Sequence, residues 1–404
     1  VPVWHKGTEK WVKDGKLVLL GVIQEQHPDR CRLFAQWKGL GWPILLDPIN
    51  VMGVDGVPIL TAIDEHGIVR DTKPRLEGLK KDFLDKRFAD DSKGNLPRRQ
   101  TPELGKDQTV PDFEALRRRA EEEDRASAWR DLGDALALWG GEKRVNDAID
   151  AYGRAVKMDP KDGPAHFRLG VCFRRRYESE QRQAGDFQEA IDHWSQALDV
   201  DPNIYIWRRR IQQYGPRLDK PYSFYDWVEE AEKDISARGD KPTPLQVRPG
   251  GAELARPLKT FKDDSKTRSP DPDGKVQRDD KGAIRAEATV VPSRVRSGQA
   301  VRIHVVLRPD GKQKTHWNNE ADPLRLWITP PEGWQVAARL LESAGGKLPQ
   351  TDEERALDFE IKVPEGAKGK VRLGAYALYH ICDDAGGQCR FLRLDIPIEV
   401  RVGE

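Results

Sequence analysis

The strongest constraint on this fold is a pattern written twice between Trp129 and Pro202. Trp129, Leu132, Gly133 and Leu136 are followed by Ala148, Tyr152, Ala155 and Asp159-Pro160. His166, Leu169, Gly170 and Phe173 are then followed by Ala190, Trp194, Ala197 and Asp201-Pro202. Residues three and four apart share a helix face, so each copy reads as two helices with one apolar stripe apiece. Gly133, Ala148, Gly170 and Ala190 let antiparallel helices approach closely, and Tyr152 and Trp194 fill the space between turns. Proline after aspartate stops each second helix. Neither copy can bury its stripe alone, so the pair must stack and be capped, here by segments expected at Ile204 to Tyr214 and Tyr222 to Ala237. An insertion at Arg176 to Gly185 separates the helices of the second copy.

This large–small–aromatic pattern resembles the tetratricopeptide repeat, which implies an all-α solenoid over residues 111–238 and a concave groove able to bind a peptide. The run Arg174-Arg175-Arg176 reads as a solvated helix face rather than an acidic-ligand site, and Cys172 beside Phe173 reads as core. With 404 residues the chain is too long for one ordinary core. Its formal net charge of +1 gives no overall field to attract nucleic acid or an anionic membrane. No run approaches the roughly 18 apolar residues needed to span a bilayer. Phosphate-cradling glycine loops, G-x-S-x-G elbows and H-E-x-x-H zinc motifs are absent, which leaves kinase and hydrolase chemistry without support.

Upstream, Lys16 to Ile23 is a continuous apolar run, the pattern of a strand buried on both faces. A helix at Pro28 to Lys38 and strands at Pro43 to Leu46, Val57 to Ile63 and Ile68-Val69 complete an α/β alternation over residues 1–90. His27 reads as a helix-entry residue and Cys31 as a buried thiol. Leu19-Leu-Gly-Val22, Pro43-Ile-Leu-Leu-Asp47, Gly56-Val-Pro58, Ala62-Ile-Asp64 and His66-Gly67 together resemble the TlpA/ResA branch of the thioredoxin superfamily. The resemblance implies a cis peptide at Pro58, facing a redox dithiol. No C-x-x-C stands in this sequence. The chain opens at Val1 rather than Met, inside what the family makes its first helix, so the dithiol is expected upstream of Val1 or lost.

Residues 91–110 read as a linker, and 239–281, rich in Pro, Gly, Asp and Lys, as a mobile tether. From 282 to 404 the pattern turns all-β, with strands expected at Ala286 to Val290, Ala300 to Leu307, Leu324 to Ile328, Leu357 to Val363, Lys370 to Tyr379 and Phe391 to Val402. Six or seven antiparallel strands in this length indicate an Ig-like sandwich. Cys382 and Cys389 flank the turn Asp-Ala-Gly-Gly, which places them across a hairpin and within disulfide reach.

Tyr379, Cys382, Asp383, Gly387 and Cys389, with His316-Trp-Asn-Asn319 and Pro331-x-Gly-Trp334, resemble the immunoglobulin-like N-terminal domain of DsbD-type interchange proteins. That family cycles its hairpin cysteines between dithiol and disulfide, a role that passes here to Cys382 and Cys389 alone. Six residues separate the two cysteines where the family has five, and Arg390-Phe391 replaces its aromatic-proline. His380 and Asp383 flank the pair with opposing electrostatic effects on a thiolate. A soft-metal site built from both cysteines, His316 and His380 is the weaker reading, so no metal and no cofactor are assigned.

The expectation is a three-part protein: a partial thioredoxin-like α/β segment, an all-α tetratricopeptide solenoid and an all-β Ig-like sandwich. Its expected work is thiol–disulfide exchange in a periplasm or cell envelope, with protein thiols or disulfides as partners. The alternative is a non-catalytic peptide-binding scaffold with a structural disulfide.

Overall fold

The computed structural model describes residues 2–89, 110–216, 225–250, 253–254, 261, 266–383 and 387–403. The chain divides into two compact units. One comprises residues 1–171, 201–206 and 228–247, the other 172–200, 207–227 and 248–404. The boundary runs through the repeat region rather than around it.

In the first unit, helix α1 (Pro2–Lys13) precedes strand β1 (Gly21–Ile23). Helix α2 (Pro28–Lys38) begins with Pro28 in its first turn and ends at Gly39, whose φ of 61° allows the left-handed cap. His27 sits at the N-cap without a side-chain cap bond, the helix-entry position expected of it. Strand β2 (Ile44–Leu46) pairs parallel with β1, and β3 (Ala62–Ile63) pairs antiparallel with β4 (Val69–Asp71). These are two separate two-stranded sheets.

The apolar run before α2 is shorter as a strand than its pattern implies, and it is not doubly buried. Val18 is 82% exposed, Leu20 56% and Leu45 52%. A two-stranded parallel pair has no third strand to cover its edges. Farther along, Lys80–Leu84 forms a single π-helical turn.

The repeats form as the pattern requires. Helix α3 (Phe113–Glu123), capped by the Asp112 carboxylate on the amides of Glu114 and Ala115, packs on α4 (Ala126–Trp139). Helix α5 (Val145–Met158) pairs with α4, and α6 (Gly163–Tyr177) follows a turn at Asp159-Pro160. A Cβ on Gly133 would lie 2.6 Å from the Tyr152 ring, so only glycine permits this approach. Tyr152, Ala148, Trp194 and Ala190 are fully buried, as is Gly170. Helix α7 (Asp186–Val200) ends before Asp201-Pro202, and α8 (Tyr205–Gln212) and α9 (Trp227–Ala237) come next. The segment read from Tyr222 onward begins outside the described residues.

In the second unit, β5 (Ile284–Val291), β6 (Ala300–Pro309), β12 (Arg355–Lys362) and β9 (Gln335–Val336) form one antiparallel sheet in that order. The other sheet runs β10 (Leu340–Ser343), β8 (Leu324–Thr329), β13 (Gly369–Asp383), β7 (Thr315–Asn318), β11 (Gln350–Thr351). Strand β14 (Cys389–Val402) pairs with β13 along its length. Alternate residues of both sheets meet in one core: Val301, Ile303, Val305 and Leu307 from β6, and Leu373, Ala375, Ala377, Tyr379 and Ile381 from β13. All six expected strands are present. Strands β7, β9, β10 and β11 are two to four residues each, too short to leave an alternation in the sequence.

The tether assigned to 239–281 is pinned at both ends. Gln246 N–H donates to Asp29 at 2.5 Å, Thr243 N–H to Gln36 at 2.9 Å, and the Arg30 guanidinium to the Val247 carbonyl at 3.1 Å. Farther along, Ser269 meets the Tyr376 hydroxyl at 2.6 Å, and Arg393 donates to Asp271 at 2.8 Å. Val276 packs on Trp327, Tyr376 and Leu378, covering the outer face of the larger sheet. Polar hydrogen bonds hold these stretches, and no apolar periodicity announces them. The proposed linker at 91–110 lies almost wholly outside the described residues.

Candidate functional site

Cys382 ends β13 and Cys389 opens β14, and the two are register partners joined by a disulfide with Cα atoms 4.0 Å apart. Asp383 N–H donates to the Gln388 carbonyl at 3.1 Å. Hydrogen-bonded and non-hydrogen-bonded pairs alternate along antiparallel strands, so the cysteines occupy a non-hydrogen-bonded pair, where side chains come closest. The two cysteines differ in exposure. Cys382 is 2% exposed, whereas Cys389 is exposed at the hairpin end.

Alternation sorts the neighbours. Tyr379 and Ile381 face the core, so His380 and Cys382 face the other way, together with Cys389 and Phe391. His380 stacks on Phe391 with ring centroids 4.5 Å apart. Burial pushes the His380 imidazole below its usual range, with Asp322 pulling it up and Arg325 down. Asp383 falls on the opposite face and is held by the Arg390 guanidinium at 2.8 and 3.0 Å, which neutralises its charge locally. Across the other edge of β13, His316 on β7 is the register partner of Cys382, and its Nδ1 bonds the Asp352 carboxylate. The arrangement offers an exposed cysteine, a buried cysteine and an Asp-linked imidazole on one sheet face. Sequence reading used His316 as part of a motif and in the weaker soft-metal reading; its place opposite Cys382 depends on a four-residue strand that no pattern revealed. Among the described residues, no group of three or more His, Cys, Asp or Glu side chains is placed to hold a metal ion.

The repeat helices carry a second polar cluster. Arg168 on α6 donates from Nη1 to both oxygens of Asp134 on α4, at 2.9 and 2.8 Å, and Tyr152 on α5 donates to the same carboxylate at 2.7 Å. Burial pushes the Asp134 carboxyl up, against the pull of Arg168, Tyr152 and Arg130. Arg168 Nε also donates to the Ile49 carbonyl at 3.2 Å, so this cation is committed within the unit. The triple-arginine run is not a solvated face: Arg176 binds buried Asp186 at 2.6 Å, and Arg174 lies among the rings of Phe187, Tyr177 and Tyr214. Their charges close the loop between α6 and α7 instead of facing water.

The Val57–Pro58 peptide is cis, as the resemblance implies. Cys31 and Cys172 lie outside the disulfide, both buried, and burial pushes the Cys31 thiol up. For Cys31 that shift is away from a reactive thiolate.

A tetratricopeptide repeat family model matches residues 141–178, the span of α5 and α6. No curated protein sequence matches the chain. Among solved structures, MamA is similar at 17% identity, with 31% of this chain and 66% of that chain covered and a TM-score of 0.20. AvmM, which catalyses macrocyclisation in alchivemycin A biosynthesis, is similar at 15% identity over 32% of this chain and 95% of that chain, with a TM-score of 0.21. The sporulation control protein Spo0M from Bacillus subtilis is similar at 11% identity over 30% and 50% of the two chains, with a TM-score of 0.18. Scores this low assign no fold. The chain thus contains a tetratricopeptide-type helical region and a β-rich C-terminal domain, and no helix among the described residues is long and apolar enough to cross a membrane.

Proposed function

We propose that the protein is a thiol–disulfide exchange protein of an oxidising compartment, working through Cys382 and Cys389 on an Ig-like sandwich. The observation that supports the reading is the asymmetry of the disulfide, with residue Cys389 exposed and residue Cys382 2% exposed. A partner thiolate attacks Sγ of Cys389, the Sγ–Sγ bond breaks, and Cys382 departs as a thiolate that takes up a proton. A second partner thiol then attacks its own mixed-disulfide sulfur and releases Cys389. The partner is oxidised by two electrons and the hairpin becomes a dithiol. His316, tied to Asp352 and opposite Cys382, is the positioning group for the departing thiolate. The N-terminal segment is read as a degenerate or partial thioredoxin-like domain, and an oxidising compartment is where such a disulfide would persist.

In this reading the tetratricopeptide helices hold the redox hairpin at a distance or dock a client. A scaffold without exchange chemistry is favoured by one observation, the family match at 141–178. Kinetics separate the two. The oxidised chain is mixed with a reduced thioredoxin and free thiols are trapped over time. Exchange predicts that Cys382 and Cys389 become alkylated together within seconds to minutes; a pair still oxidised after hours supports the scaffold.

A further inference from the structure

Among the described residues β13 is the one strand that pairs with β14, and the register fixes which backbone groups face outward. Because Asp383 and Gln388 form a hydrogen-bonded pair, residues 390, 392 and 394 turn their amides and carbonyls toward β13, while 389, 391 and 393 turn theirs away. The chain itself demonstrates this edge. Arg393 N–H donates to the Gln277 carbonyl at 2.8 Å, and Asp279 N–H donates to the Arg393 carbonyl at 2.9 Å, a parallel bridge of one residue. Just beyond it the chain turns back at Gly274, whose amide donates to the Asp271 carbonyl. Among the described residues no backbone bond reaches the outward groups of Phe391 or Cys389. Phe391 is 41% exposed beside them.

Displacement at sulfur is in-line. The disulfide runs from Cys382 on the inner strand to Cys389 on the outer one, so the side of Cys389 away from Cys382 is the side of this open edge. We propose that the redox partner binds as an extended, cysteine-bearing protein segment that adds to β14 at Cys389 and Phe391, continuing the line begun by residues 277–279. The proposal rests on the exchange reading above. Main-chain hydrogen bonds supply affinity and leave the partner's sequence free, while the added strand sets its cysteine at neighbour-pair spacing from Cys389.

The test uses the full chain carrying Cys382→Ser, which leaves Cys389 as the accessible thiol. The probe is a nine-residue Val/Thr peptide whose central cysteine is a mixed disulfide with thionitrobenzoate. Cys389 attacks the peptide sulfur, a Cys389–peptide disulfide forms, and thionitrobenzoate leaves and is read by its absorbance. The expected result is release at least ten times faster than from the same peptide N-methylated at alternate residues, with the Cys382→Ser/Cys389→Ser chain as background. Phe391→Pro removes one outward N–H without touching the β13 ladder, and should abolish that advantage, whereas Phe391→Ala should keep most of it. Equal rates for both peptides and for glutathione's thionitrobenzoate disulfide overturn strand addition and leave exchange standing. Release no faster than background with any probe overturns both.

Discussion

Gly133 shows how much one missing methyl group decides. Its position was legible from the sequence because small residues recur in the repeat, and the structure supplies the reason, a Tyr152 ring 2.6 Å from where a Cβ would be. Gly133→Ala is expected to lower stability by about 1–3 kcal/mol through overpacking. Gly153→Ala, in a helix interior with nothing within 4 Å, is expected to be neutral or stabilising by up to about 1 kcal/mol. Urea unfolding of both variants checks the contrast. Arg174 and Arg176 make the opposite point. A run of three arginines reads as solvated because charge outside usually is, yet Asp186 and three rings draw two of them inward. Nothing local in the run encodes Asp186, Phe187 and Tyr214, which lie ten and more residues away.

At the scale of elements, long periodic ones were legible and short ones were not. Helices α2 and α4 to α7 and strands β5, β6, β12, β13 and β14 stand where alternation and helical spacing put them. Strand β7 has four residues, and with it went the facing of His316 and Cys382. The hairpin disulfide closes a span of seven residues, for which chain entropy gives about 2.5 kcal/mol. Reduction, or Cys382→Ala with Cys389→Ala, should destabilise the sandwich by about 2–3 kcal/mol, seen as a lower urea midpoint with unchanged slope; no shift would mean the hairpin is held by its strands alone.

Helix α6 carries its own pH dependence. Burial holds His166 below 6.5, against the pull of the Pro160 carbonyl, Asp162 and Asp159. The fold therefore prefers the neutral ring, and the unfolded chain binds more protons as pH falls through about 6.5. That part of the stability is present above about pH 6.5 and lost on acidification. His166→Gln should flatten part of the slope in thermal midpoint between pH 7.5 and 5.5. His380 shifts the same way and accounts for some of the remainder.

Over the whole molecule, the compact units do not follow the borders that composition draws. The repeat array is divided between them, and the polar stretches at 241–247 and 269–279 are structural parts of their units. Apolar burial is what sequence patterns report best; a segment fixed by backbone amides and carboxylates leaves no periodic trace. Hydrogen exchange should show the amides of Asp279 and Arg393 protected to a degree that a mobile tether would not allow. Fast exchange there would restore the tether. Exposed Val18, Leu20 and Leu45 show the converse, a strand pattern whose cover is missing among the described residues.

The central claim is that Cys382 and Cys389 form a working redox couple, and its reduction potential tests that most directly. Thiol trapping of the full chain in glutathione buffers, with Cys382→Ser as control, gives the value. The account predicts a potential above roughly −230 mV, within range of exchange with thioredoxin-type partners. A potential below about −300 mV would contradict it and leave a structural disulfide on a tetratricopeptide scaffold.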